Sequence, residues 1–114
     1  MASWRARSVY VIVWKFQVKP GLEAEFEEAY GPDGKWAQLF RQAPGYVETE
    51  LLKSDNDSGR FLTVDRWISR RAHEDFLSAH AEEYARLLQE CERLLVDKKQ
   101  VGDFVEPIDD NTRR

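Results

Sequence analysis

Ser8-Val9-Tyr10-Val11-Ile12-Val13-Trp14-Lys15-Phe16-Gln17-Val18, followed by Lys19-Pro20-Gly21, is the stretch on which the fold turns. It is rich in β-branched and aromatic residues and is closed by a Pro-Gly turn, so it reads as a strand. Alternation places Tyr10, Ile12, Trp14, Phe16 and Val18 on one face. Val9, Val11 and Val13 lie on the other, ahead of Lys15 and Gln17. A sheet with one wet face alternates apolar and polar residues. Here both faces are apolar over the first half, so each must be covered.

Downstream of this strand the period changes. Leu22, Phe26 and Tyr30 recur every four residues among Glu23, Glu25, Glu27 and Glu28, which predicts an amphipathic helix with a solvated acidic face. Gly31-Pro32-Asp33-Gly34 interrupts it. Trp36, Leu39, Phe40 and Ala43 resume a helical stripe that stops at Pro44-Gly45. Tyr46 to Lys53 and Arg60 to Ile68 read as strands two and three, joined by the polar turn Ser54–Gly59 into an antiparallel hairpin. Ser69 is placed to cap a helix starting at Arg70. His73, Leu77, His80, Tyr84, Leu87, Cys91 and Leu94 then mark one face of a long helical region, with a bend or break expected at Ser78-Ala79-His80. Lys99 to Glu106 reads as a short last strand.

The order β-α-β-β-α-β is the ferredoxin-like arrangement of an α+β domain: one four-stranded sheet with helices on a single face. The helices cover one face of the first strand. The valines of its other face need a second sheet, and another copy of the same chain supplies one in an isologous two-fold dimer, a dimeric α+β barrel. Residues 8–106 form this domain, with flexible segments expected at 1–7 and 107–114.

Composition narrows the function classes. At 114 residues one core is expected, and 42% hydrophobic with 33% charged residues is ordinary for a globular protein. The net charge of −4 opposes a nucleic-acid partner, and Arg5, Arg7, Arg70 and Arg71 make only short basic spots. Cys91 is the single cysteine, so no internal disulfide forms and a reducing, cytoplasmic setting fits. It sits among Leu87, Leu88, Leu94 and Leu95 and reads as a buried small hydrophobe. Cys/His metal-ligand spacing is lacking, so no metal is expected. The two arginines near the N-terminus resemble a signal n-region, but the apolar run Val9–Trp14 is too short for a signal core or a membrane span. Fourteen aromatic residues, among them Trp4, Trp14, Trp36 and Trp67, are many for this length and suit either a small core or a flat apolar pocket.

Three segments together carry a family likeness: VYVIVWKFQVKPGLEAEFEEAY (9–30), APGYVETELLKS (43–54) and RFLTVDRWISRRAHEDFLSAHAEEY (60–84). The first strand ending in Pro-Gly, the Pro-Gly-Tyr before strand two and the Trp-x-Ser after strand three resemble antibiotic biosynthesis monooxygenase domains, across residues 8–106. The resemblance implies a dimeric α+β barrel that binds a small aromatic ligand and needs neither flavin nor metal, so no cofactor is expected. Haem-degrading members carry an Asn, a Trp and an axial His where this chain has Trp14, Phe76 and about Arg86, so haem degradation is not implied. Members that oxidise polycyclic phenols carry Asn, Trp, Tyr and Arg at positions matching Thr63, Trp67, His73 and, within one residue, Arg86. Trp67 and Arg86 agree with that pattern, while Thr63 and His73 depart from it but still hydrogen-bond.

The candidate site follows. Phe61, Thr63, Asp65 and Trp67 share one face of strand three, and Asp65 is the unexpected carboxylate among them. It is either a base, or a group that orients His73 or His80, or half of an ion pair with Arg66 from the partner chain or with Arg86. His73, His80 and Arg86 are the other candidates for proton handling or anion stabilisation, and each also has a plain structural reading as a solvated or capping residue. Trp14, Trp36, Thr63, Trp67, Phe76 and Tyr84 are the expected substrate-binding wall. The implied activity is a cofactor-independent monooxygenase of a small aromatic, quinol-like substrate. The alternatives are a non-catalytic dimeric binding barrel and an isomerase using the same histidines.

Overall fold

The two-faced strand, β1 (Ser8–Val18), lies inside a four-stranded antiparallel sheet. The computed structural model describes residues 8–107. Segment 1–7, and all of segment 107–114 except Pro107, lie outside the described residues. After β1 come α1 (Glu23–Tyr30), α2 (Lys35–Phe40), β2 (Tyr46–Lys53), β3 (Arg60–Trp67), α3 (Arg70–Ala79), α4 (Ala81–Cys91), a 3-10 turn (Glu92–Leu94) and β4 (Leu95–Pro107). The sheet order β2-β3-β1-β4 is the ferredoxin-like α+β topology.

Local chemistry sets the element boundaries. Gly21 closes β1 with a φ of 89°, a conformation that glycine adopts without steric cost. Gly34 lets α2 start against the end of α1. A Cβ there would stand 2.4 Å from the carbonyl oxygen of Glu28. Ser69 Oγ accepts from the Ala72 amide at 3.0 Å and caps α3. The long stripe beginning at His73 runs over two helices, because His80 leaves helical geometry (φ −120°, ψ 33°) between α3 and α4. The last strand is longer than the sequence predicts. The 3-10 turn ends the helical region at Leu94, and Leu95 is already extended.

The helices pack on the face of β1 that carries Tyr10, Ile12, Phe16 and Val18, and these residues are buried with them. Phe26 of α1, Phe61 and Trp67 of β3, and Phe76 of α3 are almost wholly out of solvent. Each such side chain contributes roughly 1.5–3 kcal/mol by leaving water. On the opposite face Val9, Val11 and Val13 lie beside Leu62 and Val64, with Phe104 and Leu52 each 50% exposed. Arg66 stretches across this face and pairs with Glu50 at 2.8 Å, Glu106 at 3.0 Å and Glu48 at 3.2 Å. No helix of the described residues is long and apolar enough to cross a membrane.

Candidate active site

The helix side of the sheet does not close completely on the helices above it. Trp14 and Phe16 of β1, Thr49 of β2, Thr63 and Asp65 of β3 and Lys98 of β4 form the floor of a cavity. Tyr30, Trp36, Phe40, Tyr84 and Leu88 form its roof from α1, α2 and α4. The enclosed space is small, ≈ 60 Å³, and the cavity opens to solvent at its mouth. Most of the wall is aromatic, and aromatic faces suit a flat, apolar ligand.

One carboxylate stands in this apolar setting. Asp65 opposes Ile12 on one side and Thr49 on the other. Removal from water pushes its pKa up to about 6, and a hydrogen bond from Thr49 pulls in the other direction. Thr49 Oγ1 donates to Asp65 Oδ1 at 2.7 Å. The Tyr46 hydroxyl lies 2.7 Å from the same Oγ1. A threonine has one hydroxyl proton, so while it serves Asp65 the Tyr46 hydroxyl must be the donor to Thr49. The result is a one-way chain, Tyr46 to Thr49 to Asp65, while Asp65 is ionised.

This chain depends on a bulge. Tyr46 and Thr49 are three residues apart and would point to opposite faces of a regular strand. The register of β2 on β3 shifts between Tyr46 and Glu48, so Tyr46 opposes Trp67 while Thr49 opposes Asp65. One extra residue, Val47, returns both hydroxyls to the helix face.

The expected site residues fall into three groups. Asp65, Thr63, Trp14, Trp36 and Tyr84 line the cavity together. Trp67, Phe76 and His73 pack behind it. Trp67 and Phe76 are fully buried, with ring centroids 5.3 Å apart, and His73 sets its ring 5.1 Å from that of Trp67. Burial lowers the His73 pKa, which favours the neutral ring. His80 and Arg86 stand elsewhere. His80 stacks on Phe76 at 5.3 Å, holds Glu83 at 2.6 Å through Nδ1 and faces an outer groove beside Ala43 and Ile68. Arg86 is exposed on α4, near Lys35 and Glu90. Arg86 forms no ion pair with Asp65, and the Arg66 of the same chain pairs with Glu48, Glu50 and Glu106 on the opposite face of the sheet.

Thr49, Tyr46 and Lys98 join the site without having been singled out in the sequence. The only sequence signal for Thr49 is its place opposite Asp65 once the hairpin register is worked out. Among the described residues no group of three or more His, Cys, Asp or Glu could hold a metal ion.

Residues 9–87 match the family model described as Antibiotic biosynthesis monooxygenase. Among solved structures the chain is similar to a mutant of SnoaB, a cofactor-independent oxygenase from Streptomyces nogalater. Identity is 22% over 84% of this chain and 90% of that one, with a TM-score of 0.71. A protein of unknown function from Nitrosomonas europaea aligns at 16% identity over 92% and 94% of the two chains, with a TM-score of 0.67. A protein from Shewanella oneidensis aligns at 19% over 87% and 91%, with a TM-score of 0.64. At these identities the structural likeness speaks for the fold alone. No curated protein matches the chain.

Proposed function

The chain belongs to the antibiotic biosynthesis monooxygenase family, and from that premise we propose that it is a cofactor-independent monooxygenase of a small aromatic, quinol-like substrate. The observation that carries this reading is Asp65, a lone carboxylate within an aromatic cavity, wired through Thr49 to Tyr46. A phenol becomes electron-rich once it loses its proton, and its anion then reduces dioxygen itself. The protein has to bind the ring, take the proton and keep water away.

The binding and proton-transfer steps each have residues. The aromatic walls hold the ring flat. Ionised Asp65 accepts the phenolic proton. The ring anion gives its electrons to dioxygen, a carbon–oxygen bond forms, and the peroxide takes a proton back from Asp65. Breaking the oxygen–oxygen bond with loss of the ring hydrogen at that carbon releases water and leaves a quinone. The substrate has then lost two hydrogens and gained one oxygen. A phenol titrates near 10. A base at about 6 is closer to it by about two units than an ordinary carboxylate, which removes roughly 3 kcal/mol from the proton-transfer step.

The working unit in this reading is a homodimer in a reducing compartment. Its support is the apolar outer face of the sheet, with Val11, Val64 and half-exposed Phe104, and a single buried cysteine.

Oxygen uptake with 1,5-dihydroxynaphthalene tests the activity, since the expected product, a hydroxynaphthoquinone, is coloured. Uptake should rise with pH through about 6 as Asp65 ionises. Asp65→Asn should lower it by about 100-fold or more, the usual contribution of a general base. Uptake unchanged in that variant removes Asp65 from the mechanism. Binding without uptake favours a non-catalytic barrel.

A further inference from the structure

We propose that the cavity selects an anionic aromatic substrate, with a ring carboxylate held by Lys98 at the β4 end and a hydroxyl presented to Asp65 at the β3 end. The inference rests on the reading of the cavity as the substrate site and adds the substrate's charge class to it.

Lys98 is the one full cation in the cavity wall. Cations on an outer strand of a sheet usually reach into water or pair with a neighbouring carboxylate, as Lys53 does with Glu27. Lys98 does neither. It opposes Phe16 on the helix face of the sheet, is half-buried, and holds Nζ 5.6 Å from the ring centroid of Trp14. Among the described residues no carboxylate lies within ion-pair distance of it. An ammonium group over an aromatic wall is partly desolvated, and an anion arriving there gains more than one in open water. The chain as a whole carries −4, so a cation in this cavity runs against the general charge.

The two charged groups are spaced for a bifunctional ligand. Asp65 faces Ile12 and Lys98 faces Phe16, on opposite sides of β1. Four residues along the strand and two strand spacings across it separate their Cα atoms by roughly 16 Å. Both side chains extend into the space between and shorten that span. What remains suits two fused rings with a hydroxyl at one end and a carboxylate at the other. A carboxylate directed at Asp65 instead would meet like charge, so the arrangement also fixes which way the ring enters.

The experiment is calorimetric titration at pH 7.5 with 6-hydroxy-2-naphthoate and 2-naphthol, which share the ring system and differ by the distal carboxylate. The naphthoate should bind about tenfold tighter or better, equivalent to 1.4 kcal/mol. In Lys98→Gln the ratio of the two affinities should fall towards one, and in Lys98→Arg it should be retained, which separates charge from packing. Equal affinities in the wild type, or a preference that survives Lys98→Gln, overturn the charge assignment. The oxygenase reading is then still judged by uptake with the neutral dihydroxynaphthalene. Binding of neither compound overturns both.

Discussion

Replacing Asp65 by asparagine should make the protein more stable at alkaline pH while lowering the proposed oxygen uptake by about 100-fold or more. In the folded chain Asp65 keeps its proton up to about pH 6, because burial disfavours the charged form. In the unfolded chain it loses the proton near 3.8. The native state therefore binds more protons than the unfolded state between those values, and stability falls as pH rises through that window. Above pH 6 the full cost is present. A difference of about two units corresponds to roughly 3 kcal/mol. At pH 4 only about 0.5 kcal/mol of it has developed, since the unfolded carboxylate is then little more than half ionised.

Asparagine has the same shape, carries no charge and can still accept from Thr49 Oγ1. Urea unfolding of wild type and Asp65→Asn, at equal protein concentration and at pH 4 and pH 8, isolates the Asp65 contribution because every other titrating group is common to both. The variant should gain about 3 kcal/mol at pH 8 and about 0.5 kcal/mol at pH 4. An advantage of equal size at both pH values, or none at pH 8, refutes the buried-carboxylate account. A gain in stability coupled to lost activity is the signature of a group kept for chemistry.

Thr49→Val removes the hydroxyl whose hydrogen bond lowers the Asp65 pKa, so the rise in oxygen uptake should shift to a pH above about 6. A pH–rate profile identical to that of the wild type would disconnect Thr49 from Asp65. Phe104→Asp places a charge on the apolar outer face opposite Val11, and light scattering should report half the wild-type mass. A wild type that is already monomeric, or a variant that stays dimeric, would show that this face is not the interface.

The parts of the fold that were legible in the sequence are those set by short-range patterns. The two faces of β1 come from alternation within eleven residues, and the Ser69 cap and the break at His80 from single positions. The site is less legible because its chemistry is assembled across strands. Asp65 stood out as a carboxylate in an apolar strand, but its partner Thr49 is sixteen residues away. Tyr46 and Thr49 share a face only because the chain bulges at Val47, and that bulge is a property of the pairing with β3. Lys98 escaped for a related reason. The helical stripe ends at Leu94 and the last strand is expected only from Lys99, so Lys98 falls in the gap although β4 already begins at Leu95. The histidines show the converse. Helical spacing puts His73, His80 and Tyr84 on one stripe, yet only Tyr84 reaches the cavity, because the break at His80 and the docking of α4 decide which part of the stripe faces the sheet. In this domain Asp65 and its hydrogen-bond chain sit on the sheet floor and the helices supply aromatic roof. Changes in hairpin register around Val47 should therefore alter the site more than substitutions on the exposed side of α3 or α4.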